Sequence, residues 1–258
     1  MERITAENKT KRFKFLFGAG SESIADFAIV SPFFPVKSLS DKLKNKNNFK
    51  GALFRGVTGF YEGKKVSFIN TGIGQSLLSD CVMALEITAC KKIVFLGSCG
   101  AVDDLRVGSC VIIEQARIDA EYFENFLPGV FPESRAGEFY AGSVMAAAAK
   151  KIFLQKKINP AEIKLMSINS LWDQDCPDKF LKLKEKNVQA VDLETAFFYA
   201  LCRNREDRFH GRYLSLCFIS DHLRTHPYWD SFSLDQKNGL KKAVELLVGV
   251  ALELSSAV

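Results

Sequence analysis

The chain has 258 residues, of which 47% are hydrophobic and 25% are charged, and its formal net charge is +5. This composition excludes a disordered chain and suits one large domain with a substantial core, so we expect a single domain over residues 1–258. A modest charge spread along the chain does not indicate a nucleic-acid-binding protein. We interpret the lysine-rich run from Lys42 to Lys50 as a solvated loop or helix face.

The cysteines and the first residues of the sequence indicate in which cellular compartment we expect the protein. The seven cysteines form no CxxC pair, and several lie in apolar runs, where free thiols are commonly buried. This favours a reducing cytoplasm. The first residues lack the order of a signal peptide, and no apolar run reaches the ~18 residues that span a bilayer. We expect a soluble cytoplasmic protein with no membrane partner, no bound cofactor and no metal site, since the three histidines show no ligand spacing.

Short apolar runs rich in β-formers alternate with longer helical patterns along the chain. This alternation predicts an α/β fold around a mostly buried sheet flanked by helices. The predicted strands are Phe27–Ser31, Lys65–Asn70, Lys92–Gly97, Cys110–Glu114, Ile163–Ile168, Val188–Val191 and Tyr213–Ile219. The predicted helices are Gln75–Thr88, Gly137–Gln155, Asp178–Lys186, Glu194–Arg203 and Leu234–Leu254. Residues 116–135 show no period and predict a long functional loop.

Ligands of α/β sheets collect beyond the carboxyl ends of the strands. Gly97 to Gly100 form a predicted turn after a strand, and Thr71 to Gly74 lie between a strand and a helix, where backbone N–H groups can face a ligand. Polar or aromatic side chains follow other strand ends. We expect one cleft to collect Gly72, Ile73, Ser98, Cys99, Gly100, Trp172, Glu194 and Asp221.

Three motifs follow one another along the chain: Lys92 to Gly108, Val191 to Glu194 and Ile219 to His226. The first resembles a strand and turn of the purine nucleoside phosphorylase and nucleosidase superfamily, and the other two are similar to motifs of that family in its order and spacing. The similarity covers roughly residues 50–115 and 185–226. It implies a nucleoside phosphorylase-like fold with a central mixed, twisted sheet. It also implies cleavage of the N-glycosidic bond of a nucleoside, and a homo-oligomer.

The resemblance also implies roles for particular residues. Glu194 would hold the ribose hydroxyls, and Asp221 would act as the general acid that donates a proton toward N7 of a purine. Trp172 would stack on the base, and Leu193, which stands where the family often has Met, would contact ribose or base. Taken alone, Glu194 is also typical of a helix N-terminus, Asp221 of a cap after a strand, and a lone tryptophan of a core.

The sequence departs from the phosphorylase pattern where phosphate binds. The first strand ends Ser-Pro-Phe-Phe-Pro-Val, without the family's glycine and arginine, and Phe95 and Ala52 stand where two further arginines are expected. A dianion without cationic partners is poorly stabilised, so phosphorolysis is disfavoured. The nucleosidases of the family take their base from a glutamate in this first loop, which is also missing. Glu114, Asp119 and Glu121 are the candidates for a water-activating base.

Three functions therefore stay open. The preferred one is hydrolysis of a purine nucleoside, with water as the co-substrate. The second is a divergent phosphorylase that holds phosphate through Lys37, Arg55 or a neighbouring subunit. The third is a nucleoside-binding homologue without catalysis. His222, Arg224 and His226 lie beside Asp221 and could orient it or reach a 5′ substituent.

Overall fold

The computed structural model describes residues 6–118, 137–168, 170, 177–225, 227 and 230–258. Within them the chain has an α/β fold. The strands are β1 Phe27–Ser31, β2 Lys44–Lys50, β3 Arg55–Tyr61, β4 Lys64–Asn70, β5 Lys92–Ala101, β6 Cys110–Arg117, β7 Glu138–Tyr140, β8 Ala161–Ser167, β9 Ala190–Asp192 and β10 Tyr213–His222. The α-helices are α1 Ala6–Phe17, α2 Val36–Ser40, α3 Gln75–Ala84, α4 Ser143–Gln155, α5 Pro177–Glu185, α6 Thr195–Arg203, α7 Glu206–Phe209 and α8 Leu234–Ala257.

The strands form one mixed sheet, as predicted. On one side of β5 the order is β5, β1, β4, β3 and β2. Strand β1 is parallel to both of its neighbours, and β3 is antiparallel to both β4 and β2. On the other side β5, β10, β6, β8 and β9 pair in turn, and β9 pairs back with β5. Part of the sheet therefore closes into a five-stranded ring.

Strand β5 is shared by both parts of the sheet. One of its edges pairs with β10 along almost its whole length, while the other edge pairs first with β1, up to Phe95, and then with β9, at Gly100 and Ala101. The prediction of a turn at Gly97 to Gly100 was wrong, because the strand continues through these residues. Their small size allows close packing: a Cβ on Gly97 would lie 2.5 Å from the ring of Phe95.

Helices cover both faces of the sheet, which confirms the predicted architecture. One buried cluster contains side chains of α1, α3 and α6, including Phe17, Leu78 and Phe197. The other contains side chains of α2, α4 and α8, including Leu39 and Leu247. None of the described helices combines the length and the apolarity that crossing a membrane requires.

Three predicted segments differ from the structure. The Lys42 to Lys50 run is mostly strand β2, an edge strand with six of its seven residues exposed; lysines at an edge oppose pairing with other chains. The predicted helix from Gly137 begins only at Ser143, after the short strand β7. The loop predicted for residues 116–135 begins two residues later than expected, because Ala116 and Arg117 belong to the end of β6. Residues 119–135 of this predicted loop lie outside the described residues.

Tyr199 joins α6 to the ring of strands. Its side chain is fully buried, its hydroxyl donates a hydrogen bond to the carbonyl of Ile113 in β6, and it accepts one from the N–H of Ser215 in β10 at 3.0 Å. Buried backbone groups need such partners. The hydroxyl therefore fixes the helix that follows Glu194 against two strands.

We predict that Tyr199→Phe lowers the free energy of unfolding by about 2 kcal/mol, because it leaves a buried carbonyl and a buried N–H without a partner. Urea unfolding followed by circular dichroism measures this change. The matched control is Tyr140→Phe, which removes from a half-exposed side chain a hydroxyl that bonds only to the side chains of Gln115 and Glu138 among the described residues. Because no buried backbone group loses its partner, this change should cost less than about 1 kcal/mol. Equal effects of the two substitutions would contradict the role given to Tyr199.

Candidate active site

A cavity of about 240 Å³ lies where β1, β5 and β10 end. It is lined by Pro32, Phe33, Ile73, Ser98, Cys99, Gly100, Val191, Asp192, Leu193, Glu194, Ser220 and Asp221. The structure thus brings together all the predicted site residues except two. Gly72 lies in the adjacent loop without lining the cavity, and Trp172 lies outside the described residues.

A β-bulge presents Asp221 to the cavity. Ile219 pairs with Cys99 and Asp221 pairs with Gly100, so Ser220 is an extra residue in β10. Bulges of this kind re-aim side chains next to active sites. The hydroxyl of Ser220 donates a hydrogen bond to Oδ1 of Asp221 and lies 3.2 Å from the carbonyl oxygen of Cys99. Oδ2 of Asp221 is buried and has no hydrogen-bond partner among the described residues.

Gly100 gives the carboxyl group of Asp221 its space. A Cβ at position 100 would lie 2.9 Å from Oδ2 of Asp221 and 2.9 Å from Cδ2 of Leu223. Burial raises the pKa of Asp221, and the hydrogen bond from Ser220 offsets part of this rise. A buried carboxyl with a raised pKa and one free oxygen is suited to hold and release a proton.

Glu194 is the second acid of the cavity. Its side chain is only 6% exposed, and its Oε1 accepts a hydrogen bond from the N–H of Gly74 at 2.8 Å. Burial, together with the nearby Asp192, raises the pKa of Glu194 to about 7. Although Glu194 immediately precedes α6, its side chain makes no capping hydrogen bond. The N–H of Gly74 thus orients this carboxylate, whereas the sequence suggested that this loop would face a ligand directly.

Asp192 is a structural residue that the sequence prediction did not single out. Its carboxylate accepts hydrogen bonds from the hydroxyl of Ser167 at 2.6 Å and from the N–H and the hydroxyl of Thr195. The hydroxyl of Ser167 in turn accepts from the N–H of Ala196 at 2.8 Å. These bonds satisfy the first N–H groups of α6, as an N-cap does. An Asp three residues before a Thr at a helix start was the available signal.

The described lining of the cavity has acids but no Lys, Arg or His. Lys37 and Arg55 are exposed and do not line it, and neither does the exposed Glu114. Phe95, at an expected arginine position, is buried and packs on Phe198 with their ring centroids 5.7 Å apart. Asp119, Glu121 and His226 lie outside the described residues.

His222 faces a different cavity. This second cavity, of about 430 Å³, lies between the loop after β5 and the start of α8, and Arg106 and Thr225 also line it. Arg224 is exposed and lines neither cavity. His222 is close enough to Asp221 that its charge would lower the pKa of that carboxyl.

Comparison with known families decides the affiliation of the chain. Residues 28–252 match the family described as the phosphorylase superfamily. The chain belongs to this superfamily. The sequence predicted that the chain is a member of this family and that it is an enzyme of the nucleoside phosphorylase superfamily. Both predictions are confirmed.

Curated relatives support the same affiliation. The chain is 29% identical over 184 residues to the DeoD-type purine nucleoside phosphorylase of Xenorhabdus nematophila, a match that covers 69% of this chain and 71% of the relative. It is 27% identical over 197 residues to the enzyme of the same name from Pectobacterium atrosepticum, covering 74% and 76%. A uridine phosphorylase structure from Vibrio fischeri ES114 shares the fold with a TM-score of 0.75 at 16% identity, covering 90% of this chain and 91% of that one.

The raised pKa of Glu194 makes stability depend on pH. Its pKa of about 7 in the folded protein lies above the ordinary value of 4.5, so its protonated form stabilises the fold fully below about pH 4.5, and this contribution is lost as the pH rises through about 7. We predict that Glu194→Gln removes a pH-dependent contribution of about 3 kcal/mol between pH 5 and 8. Urea unfolding of both proteins across this range measures it, and parallel pH profiles would contradict the burial of an ionisable Glu194.

Proposed function

We propose that this member of the phosphorylase superfamily hydrolyses the N-glycosidic bond of a purine nucleoside. The observation that supports the proposal is the pairing of Glu194 and Asp221 in a cavity whose described lining has no cationic side chain. Two acids with different surroundings suit a reaction that protonates a leaving base and stabilises a positively charged sugar. A phosphate dianion finds no counter-charge there among the described residues.

Asp221 supplies the proton in the proposed reaction. Burial keeps its protonated form available, and the free Oδ2 is the atom that donates to N7 of the base. As the C1′–N9 bond breaks, its electron pair moves to the base, which leaves as a neutral molecule because N7 has received the proton. Gly100 allows the carboxyl group close to the strand, where the base would lie over Ser98 to Gly100.

Glu194 holds the ribose in the proposed reaction. As a carboxylate it accepts hydrogen bonds from two ribose hydroxyls, while the N–H of Gly74 keeps its own orientation fixed. Its negative charge also stabilises the positive charge that develops on the sugar. Ile73 and Leu193 contact the apolar parts of the substrate, and we retain Trp172 as the residue that stacks on the base.

Water is the proposed acceptor. Its oxygen forms the new bond to C1′, and the proton that it loses restores the acid form of Asp221 through solvent. Asp119 and Glu121 remain our candidates for the group that takes this proton first. We further propose a cytoplasmic homo-oligomer.

Phosphorolysis is the second candidate, because the curated relatives are named as phosphorylases. It requires cationic groups from outside the described lining, either from elsewhere in the chain or from a neighbouring subunit. A nucleoside binder without catalysis is the third candidate, and tight binding without release of base would identify it. We favour hydrolysis because both position 95, which is two residues before Gly97, and the loop after β1 are apolar.

The experiment that tests the proposal is chromatography of purified protein incubated with purine and pyrimidine nucleosides and methylthioadenosine, each with and without phosphate. We expect release of free purine base at the same rate in both conditions. Release that requires phosphate would overturn hydrolysis and establish a phosphorylase. The absence of release from every nucleoside would support the binder.

We predict that Asp221→Asn lowers turnover by ~100-fold or more, because an amide cannot act as the general acid. Steady-state base release measures the effect. The matched control is Asp207→Asn, which makes the same change on the exposed side of α7 and should leave turnover unchanged. Full activity of Asp221→Asn would remove Asp221 from the mechanism.

A further inference from the structure

The loop after β1 is built in a way that opposes anion binding. Loops that bind phosphate do so with exposed backbone N–H groups and nearby cationic side chains. Of the four residues Pro32 to Pro35, the two prolines have no N–H. The N–H of Phe34 donates to the hydroxyl of Ser31 at 3.1 Å. At most the N–H of Phe33 remains for a ligand.

The conformation of this loop is fixed by its neighbours. The side-chain amide of Asn70 donates to the carbonyl oxygens of Pro32 and Phe34, at 3.4 and 3.3 Å, and Asn70 is itself buried. The N–H of Thr71 donates to the carbonyl of Ser31 at 2.9 Å. Because both sides of the turn are held by the end of β4, the loop cannot easily turn its N–H groups toward the cavity.

The ring of Phe33 lies at one end of the cavity. It is 38% exposed and packs against Phe34, with their ring centroids 5.2 Å apart, and edge-on against Phe218, with their ring centroids 6.2 Å apart. Phe218 pairs with Ser98 in β5, whereas Asp221 pairs with Gly100. The cavity therefore has a Phe33 end beside Ser98 and an Asp221 end beside Gly100.

These two ends have different chemistry. In the proposed reaction, the base leaves beside Asp221. The acceptor then approaches C1′ of the sugar from the side opposite the base, which is the end of the cavity lined by Phe33 and Pro32. An aromatic ring in that position removes the water that would solvate a dianion and offers no charge in return. A single water molecule is neutral and small enough to enter.

We propose that Phe33 determines the acceptor of the reaction: its ring closes the Ser98 end of the cavity to phosphate and leaves water as the nucleophile. This inference rests on the proposed hydrolysis and names the residue that selects it. The bond changes are those of hydrolysis, in which water forms the C1′–O bond while the C1′–N9 bond breaks. Phosphate takes the place of water when the ring is replaced by a cationic group.

The test is Phe33→Arg, which places a guanidinium beside Ser98. We measure the ratio of the base-release rates with and without phosphate in excess over the nucleoside, and we identify the sugar product. We expect a ratio of one for the unmodified chain. For Phe33→Arg we expect a ratio of about ten or more, together with a pentose 1-phosphate, because one charge-assisted hydrogen bond to the acceptor is worth about that factor.

The matched control is Phe60→Arg, which adds the same charge in place of a phenylalanine that is 39% exposed on β3 and does not line the cavity. Its ratio should stay at one. Phe33→Lys is a second variant that replaces the ring by a different cationic group, and its ratio should also rise above one. Thermal melts show whether each variant is folded.

The outcomes separate this inference from the proposed function. If the unmodified chain releases base only with phosphate, hydrolysis is wrong and the role of Phe33 falls with it. If the unmodified chain hydrolyses nucleosides, but folded Phe33→Arg and folded Phe33→Lys both remain indifferent to phosphate, the proposed function stands and the role of Phe33 is overturned.

Discussion

The site depends on the pairing of strand β5 with three neighbours. Its second half has to leave β1, join β9 and remain paired with β10, and the small residues from Gly97 to Gly100 allow this. The same residues bring the ends of β1, β9 and β10 to one place, which is where the cavity forms. At Gly100 even a methyl group would meet the carboxyl of Asp221. The geometry of the candidate site and the closure of the ring of strands thus both depend on this one short segment.

The acids of the cavity are buried, and the described lining gives them no cationic neighbour. Both Glu194 and Asp221 have raised pKa values because they are desolvated, and the hydrogen bonds from Gly74 and Ser220 offset the rise only in part. An arginine in this lining would lower these pKa values and also hold an anionic acceptor. In the proposed reaction, its absence from the described lining would have two consequences together: a proton stays available at Asp221, and phosphate is only weakly attracted.

The sequence predicted most of the strands and more than half of the residues that line the candidate site, for identifiable reasons. β1, at Phe27–Ser31, was predicted to the residue because it is a continuous apolar run bounded by polar residues. β2 was missed because it is a polar edge strand without hydrophobic alternation. The continuation of β5 past Gly97 could not be predicted, since it depends on pairing with β9 and β10, far along the chain. The bulge at Ser220 depends on the same long-range pairing.

The match to the phosphorylase superfamily shows which family the enzyme belongs to. In our proposal, the choice between water and phosphate as the acceptor of the sugar depends on the residues of this cavity. The most direct measurement is phosphorus-31 NMR of a reaction run in phosphate buffer with a purine nucleoside that the enzyme cleaves. Our account predicts that free base accumulates while inorganic phosphate stays the only phosphorus signal. A pentose 1-phosphate signal that grows in step with the free base would contradict it.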